Sequence, residues 1–289
     1  MMKRILIIFL VITGAYLVLN YLVEGGFGIN LAKGQDSARV TDRTETISID
    51  ISSVKTEIVP EDRDDVRAEL KGKGTVKVTT HGDEIHVSAK RKGFFWFNWF
   101  ELDQTSLIVY IPENFKEEMA IRLGSGDAVF KGPSANEPME LKKLALDIGS
   151  GSMVLKNIDA DILEHHSSSG DVQMDAITAG SGTFKVSSGS VNVQNYAGQL
   201  DANVSSGELE IQMNELKDSI NLNVSSGDIE LDLPDDADFT LKGKMSSGDV
   251  TSRFPLENKE ETKNHLRGKH GSGKYEINAD VSSGEIEIF

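Results

Sequence analysis

No cysteine occurs in the 289 residues. That excludes a disulfide framework, a thiolate nucleophile, a cysteine-based metal site and a lipid-modified cysteine. Aromatic residues are scarce, at 7%, while glycine is frequent at 27 residues. The combination argues against a large globular core and for a narrow one with many corners. Positive charge is also short: 30 Lys and Arg stand against 46 Asp and Glu, for a formal net charge of −16. A chain so acidic is a poor partner for nucleic acid and is repelled by anionic head groups and teichoic acids. There is no G-x-S-x-G nucleophile elbow and no H-E-x-x-H metal helix. The reading is of a protein that is not an enzyme and needs no cofactor.

What the chain does contain is one tripeptide, over and over. In Ile220-Asn-Leu-Asn-Val224-Ser225-Ser226-Gly227-Asp228-Ile229-Glu230-Leu231, apolar and polar residues alternate on both sides of a Ser-Ser-Gly corner. The same frame surrounds Gly207 and Gly284, and weaker copies surround Gly170, Gly189 and Gly248. Gly-Ser-Gly versions place Gly126, Gly151 and Gly273 at further corners. From Gly151 to Gly248 the corner glycines follow one another at 18 to 21 residues, a spacing in the range of solenoid repeats. Alternation on both sides means half-buried strands. Positions three, five and seven before each glycine, and two and four after it, are expected to face inward. Glycine is expected to supply a φ > 0 bend, with the serines bonding nearby backbone to hold it. One such unit cannot bury its apolar face alone, so copies stack.

The expected fold is therefore all-β: a β-solenoid, parallel β-helix-like, with Ser-Ser-Gly corners. The alternative is an antiparallel β-sandwich or meander, since Ser-Gly also suits hairpin turns. In-register stacking favours the solenoid, because every copy keeps the same inside frame.

Ahead of the repeats, Met1 to Arg4 reads as a cytoplasmic N-terminus. The 19 uncharged residues Ile5 to Val23 read as a single-span membrane helix with Tyr16 and Tyr21 toward its outer end. Lys3 and Arg4 would keep the N-terminus inside, placing the remainder outside the cell membrane. A cleaved signal peptide is the competing reading. Residues 24–43, with Gly25, Gly26, Gly28 and Gly34, read as a linker. Residues 44–120 read as an irregular N-terminal β region and 121–289 as the repeat array. In the irregular region, Ile47, Ile49, Ile51, Ser52-Ser53-Val54 and Ile58 form a degenerate first copy, and His81-Gly82-Asp83 marks a hairpin. Leu256 to His270 breaks the frame as a short helix or excursion.

The membrane segment, the missing cysteine and the stack of Ser-Ser-Gly-Asp/Glu corners together resemble the bacterial "putative adhesin" β-strand-repeat family. The resemblance covers nearly the whole chain and carries no catalytic residue. It is most similar to membrane-anchored members encoded with a cell-envelope stress system of Gram-positive bacilli. This implies an extracytoplasmic, membrane-tethered accessory module, with membrane proteins of such a system as partners. A surface adhesin or structural protein is the alternative, and a polysaccharide-acting enzyme a remote one.

Three candidate sites follow. Phe94, Phe95, Trp96, Phe97, Trp99 and Phe100, just after Lys90, Arg91 and Lys92, form an aromatic loop beside cations. Such a loop suits a membrane interface or a partner; plugging an open end of the stack is the plainer role. Asp127, Asp171, Glu208, Asp228, Asp249 and Glu285 follow their corners directly. In a stack they make a row that either binds a hard cation or is simply solvated. His165 falls in an inward slot and reads as a hydrogen-bonded core histidine.

Overall fold

The computed structural model describes residues 34–72, 74–91 and 105–289. The membrane segment and the aromatic loop, Phe94 to Phe100 with Lys92, lie outside these residues, as does the first half of the linker, residues 24–33. Gln35–Arg39, inside that linker stretch, forms a strand. Among the described residues no helix is long and apolar enough to cross a membrane.

The described chain is all strand and turn, 22 strands in one sheet system. Its logic is clearest in the coil running from Ser152 to Gly170. Ser152–Ser167 is a long strand whose parallel ladder to Asp171–Val186 skips Asn157 and Asp161. Those two breaks fold the strand into three short faces, and the Ser168-Ser169-Gly170 corner closes the coil. Asn157, Ala176 and Asn195 take φ of 56°, 55° and 55° and stand at successive coils. They form a left-handed bend stacked on itself, and asparagine tolerates that bend better than most residues.

Stacking is parallel and in register. Met153↔Val172, Leu155↔Met174, Leu163↔Gly182 and His165↔Phe184 pair inside, and the same frame continues to Val191, Val193, Leu200 and Ala202. Inward residues from Ile47 to Ile288 form one buried cluster. Full burial of each aliphatic side chain is worth about 1.5–3 kcal/mol, so the shared interior is what holds otherwise marginal coils together.

The corner works differently from the sequence expectation. Of the corner glycines in the stack, only Gly126 has a positive φ, at 125°. The others are glycine because the neighbouring coil is too close. A Cβ on Gly170 would sit 2.6 Å from the Gly151 carbonyl oxygen, and one on Gly189 would overlap that of Gly170. Backbone bonds, not serine hydroxyls, close the corner: Ser169 N donates to Gly149 O at 2.8 Å and Ser188 N to Ser168 O at 2.8 Å. Among the described stack corners, hydroxyls take part only at the first two, where Ser125 Oγ of the second donates to Ser52 O of the first at 2.8 Å. Val54 takes the glycine slot there, as its frame predicts. Gly273 is not a stack corner. It lies in the turn between His265–His270 and Tyr275–Val281, with φ 77°.

Coil order in space departs from chain order at both ends. Tyr275–Val281 pairs with Ile220–Val224 on one side and Phe239–Met245 on the other. Glu285–Ile288 likewise lies between Asp228–Asp232 and Asp249–Ser252. The last coil of the chain is thus inserted, and the Ser246-Ser247-Gly248 coil is terminal. Leu256 to His270 is a strand pair, Glu257–Glu261 antiparallel to His265–His270, which covers Phe239–Met245. At the other end, Glu84–Arg91 lies beside Thr46–Ile51 and Ser106–Pro112 beside Lys55–Glu61. These strands form a further coil of the region read as irregular; residues 92–104, which join them in sequence, lie outside the described residues. Its cap is made by Gly74–His81 and by Gln35–Arg39, whose Asp36 Oδ2 accepts a bond from Val78 N at 2.8 Å. A bonded edge amide is no longer free to recruit a foreign strand.

Candidate functional site

Gly34 marks where the N-terminal segment joins the stack: its carbonyl accepts from Leu70 N at 2.6 Å, and Leu70 pairs with Leu107. Thr105, the first described residue after the aromatic insert, borders Gly72 on the strand turn just beyond Leu70. Arg91, the last before it, pairs with Gly74, and Lys90 is exposed. The entry of the chain and both stems of the insert therefore meet at one edge of the end coils. The cationic stem and the N-terminal connection share this neighbourhood, although nothing in their sequence positions requires it.

The carboxylate row is more continuous in space than in sequence. Ser152 and Ser190 interrupt it in the first coils, but chain insertion places Glu208, Asp228, Glu285 and Asp249 on four successive coils. Two residues further along each strand, Glu210, Glu230 and Glu287 make a second row. Glu230 has a raised pKa, first because its surroundings desolvate it and then because Glu210 and Glu287 flank it. Arg253 relieves the row at one point, pairing with Glu287 at 2.7 Å. Among the described residues no group of three His, Asp or Glu converges as a metal requires. Asp127 and Asp171 stand apart from the four-residue run: Ser190 lies between Asp171 and Glu208, and Ser152 between Asp127 and Asp171.

His165 does occupy an inward slot, but not as a hydrogen-bonded residue. It is 2% exposed, and neither ring nitrogen has a partner. Its ring lies 5.8 Å from that of Phe184, which meets Tyr196 edge-on at 5.8 Å. Burial, with His166 adding a smaller push, depresses its pKa to about 4. Ser167 Oγ, the next inward group, is likewise buried and unpartnered. Neither group has a nucleophile–base contact, so the pair offers no catalytic chemistry.

One groove that sequence reading did not find lies on the outer face of the strands before the corners. Ala120 and Ala145, paired across coils, leave a depression of about 630 Å³ walled by Arg122, Asp147, His166 and Lys185. Arg122 also reaches Asp50 at 3.4 Å, and Lys143 holds Glu164 at 2.8 Å. Mixed charges over a floor of methyl groups suit binding; no serine or threonine there is bonded to a base. The only signal in the sequence is a pair of alanines in register, and register is a property of the fold.

Residues 44–289 match the sequence model described as Toastrack DUF4097. No curated protein matches the chain at a significant level. Among solved structures, similarity extends to a "putative lipid binding protein" from Parabacteroides distasonis, with 15% identity over 88% of this chain and 96% of that one, TM-score 0.53. A "putative adhesin" from Bacteroides fragilis is 13% identical over 88% of this chain and 96% of that one, TM-score 0.47. Identities this low bear on the fold alone. The match over most of its length and the stack of coils agree: the chain belongs to the Toastrack DUF4097 family.

Proposed function

We propose that this chain is a non-catalytic binding module, tethered by residues 5–23 outside the cell membrane and working close to the bilayer. The observation that carries this reading is the shared edge. The N-terminal segment joins at Gly34, two strands from Thr105, and the aromatic insert leaves from Arg91 and returns at Thr105 in the same end coils. An anchor and an aromatic, cation-flanked loop leaving one edge could engage one surface. Trp and Phe favour the bilayer interface, and Lys90, Arg91 and Lys92 offset the repulsion that the acidic chain would otherwise meet there. The sequence resemblance to LiaG, the membrane-anchored protein of the Lia cell-envelope stress system, extends the reading to an accessory role in envelope stress. Membrane proteins of that system are then the proposed partners.

The test uses residues 33–289, a compact unit in its own right. This fragment and its Trp96→Ser/Trp99→Ser variant are co-sedimented with liposomes, with purified cell wall and with detergent-solubilised membrane proteins. Binding to liposomes or membrane proteins that the double variant loses supports the reading. Equal sedimentation of both proteins refutes it, and binding to cell wall alone favours a surface adhesin.

A further inference from the structure

The capping strands at the far end of the stack raise a wall beside the corner serines. Asn264 is fixed there by two bonds to Met245, its Nδ2 donating to Met245 O at 2.9 Å and its carbonyl accepting from Met245 N at 2.9 Å. Between this wall and the stack lies a groove of about 330 Å³. Ser225, Ser282 and Ser246 line it from three adjacent coils, and Asn223, Lys244 and Asp280 stand beside them. Inserting the last coil of the chain is what makes the three serines consecutive.

These hydroxyls have no structural task. Their backbone amides close the corners, with Ser225 N, Ser282 N and Ser246 N donating at 2.9 Å to Val204 O, Val224 O and Val281 O. Their side chains are exposed, and none has a protein hydrogen-bond partner among the described residues. Adjacent coils repeat at about 4.8 Å, close to the length of one pyranose ring. The neighbouring groups are two amides, the His265 imidazole and a loosely matched Lys244–Asp280 pair at 3.7 Å, so the lining is polar and its one fixed cation has a carboxylate beside it. Across the corner, Asp228, Glu285 and Asp249 would repel a polyanion. An apolar peptide finds no pocket here, because Met245 is packed against the core.

We propose that this groove binds a neutral glycan chain. Its terminal sugar sits between Asn264 and Ser282, and further sugars follow Ser205, Ser187 and Ser168 along the stack. The serines offer a donor and an acceptor at each step, and the amides of Asn223 and Asn264 fix the end residue. This site lies in the coils opposite those of Gly34, so it stands or falls independently of the membrane reading.

The test is a titration of the 33–289 fragment, followed by amide NMR shifts and calorimetry. The probes are a β-1,4-linked N-acetylglucosamine hexamer, its dimer, a glucose hexamer and a glycerol-phosphate polymer. Expected are shifts at residues 223–225, 244–246, 264–265 and 280–282 with the dimer, extending to Ser205, Ser187 and Ser168 with a hexamer, and tighter binding of a hexamer than of the dimer. Ser225→Ala/Ser246→Ala/Ser282→Ala should weaken binding about fivefold per hydroxyl without moving the melting temperature. The proposal is overturned if neither hexamer binds, if the triple variant binds equally, or if the glycerol-phosphate polymer binds in preference.

Discussion

A buried imidazole with no hydrogen-bond partner makes stability depend on pH in one direction. His165 has its pKa lowered from 6.5 to about 4 in the folded chain, so the unfolded chain takes up the proton first. Stability is full above pH 6.5 and declines as pH falls from 6.5 toward 4, by about 3 kcal/mol at the lower limit. His165→Leu keeps the volume and removes the proton site. Urea unfolding at pH 7 and pH 4.5 should show a stability drop in the native chain that is smaller by most of that amount in the variant. The raised pKa of Glu230 acts oppositely, adding stability as pH falls through its folded value; comparing the two proteins cancels it. An unchanged drop would mean that His165 is solvated. The inward position of His165 was legible from its distance to Gly170. Its lack of a partner was not, because Leu146 below and Phe184 above are coil neighbours that only register identifies. Glycine at the corners was legible too, but for the wrong reason: crowding by the next carbonyl, not a positive φ, selects it at Gly170 and Gly189.

At the scale of elements, parallel stacking frees neighbours in space from being neighbours in sequence. The alternating frame of Ile277, Ala279, Val281, Ile286 and Ile288 identified a coil, yet nothing in it says that this coil belongs between Val224 and Met245. The same holds for Glu84–Arg91 and Ser106–Pro112, which no Ser-Ser-Gly tripeptide joins in sequence, so that their frame looks broken. The left-handed bend at Asn157, Ala176 and Asn195 left a fainter trace, two asparagines 38 residues apart at equivalent places. Insertion has a measurable consequence. Removing the chain after Lys274 deletes an interior coil, so Ile220–Asp232 loses its partner and Phe239–Ser252 loses its support. Truncation at a true solenoid end would cost one interface, whereas this one should cost two. Limited proteolysis is expected to cut throughout 215–274 in the truncated chain while residues 139–204 stay protected. Cleavage confined to the last few residues would mean that the terminal coil closes directly onto Ile220–Val224. Asp238 ties the inserted coil in place, accepting from Ser272 Oγ and Gly273 N at 2.6 Å and from Lys274 N at 2.9 Å.

For the molecule as a whole, the governing quantity is the net charge of −16 and its uneven distribution. Like charges on adjacent coils, about 4.8 Å apart, repel by roughly 1 kcal/mol in water. The exposed ion pairs that oppose this, such as Lys156–Asp175 at 2.9 Å, contribute little individually. Repulsion among Glu208, Asp228, Glu285 and Asp249 therefore outweighs attraction, and screening it should stabilise the fold. At 0.1 M salt the Debye length is about 10 Å, longer than the coil spacing, and near 1 M it falls to about 3 Å. The melting temperature is accordingly expected to rise mainly between 0.1 and 1 M NaCl. Glu285→Gln, which neutralises the inserted member of the row, should raise the melting temperature at low salt and flatten its dependence on salt. Calcium chloride at matched ionic strength separates the two readings of the row. A solvated row responds to ionic strength alone, so both salts should give one curve. A saturable extra rise with calcium, lost in Glu285→Gln, would instead make the row a cation site that forms only when the ion draws its carboxylates together.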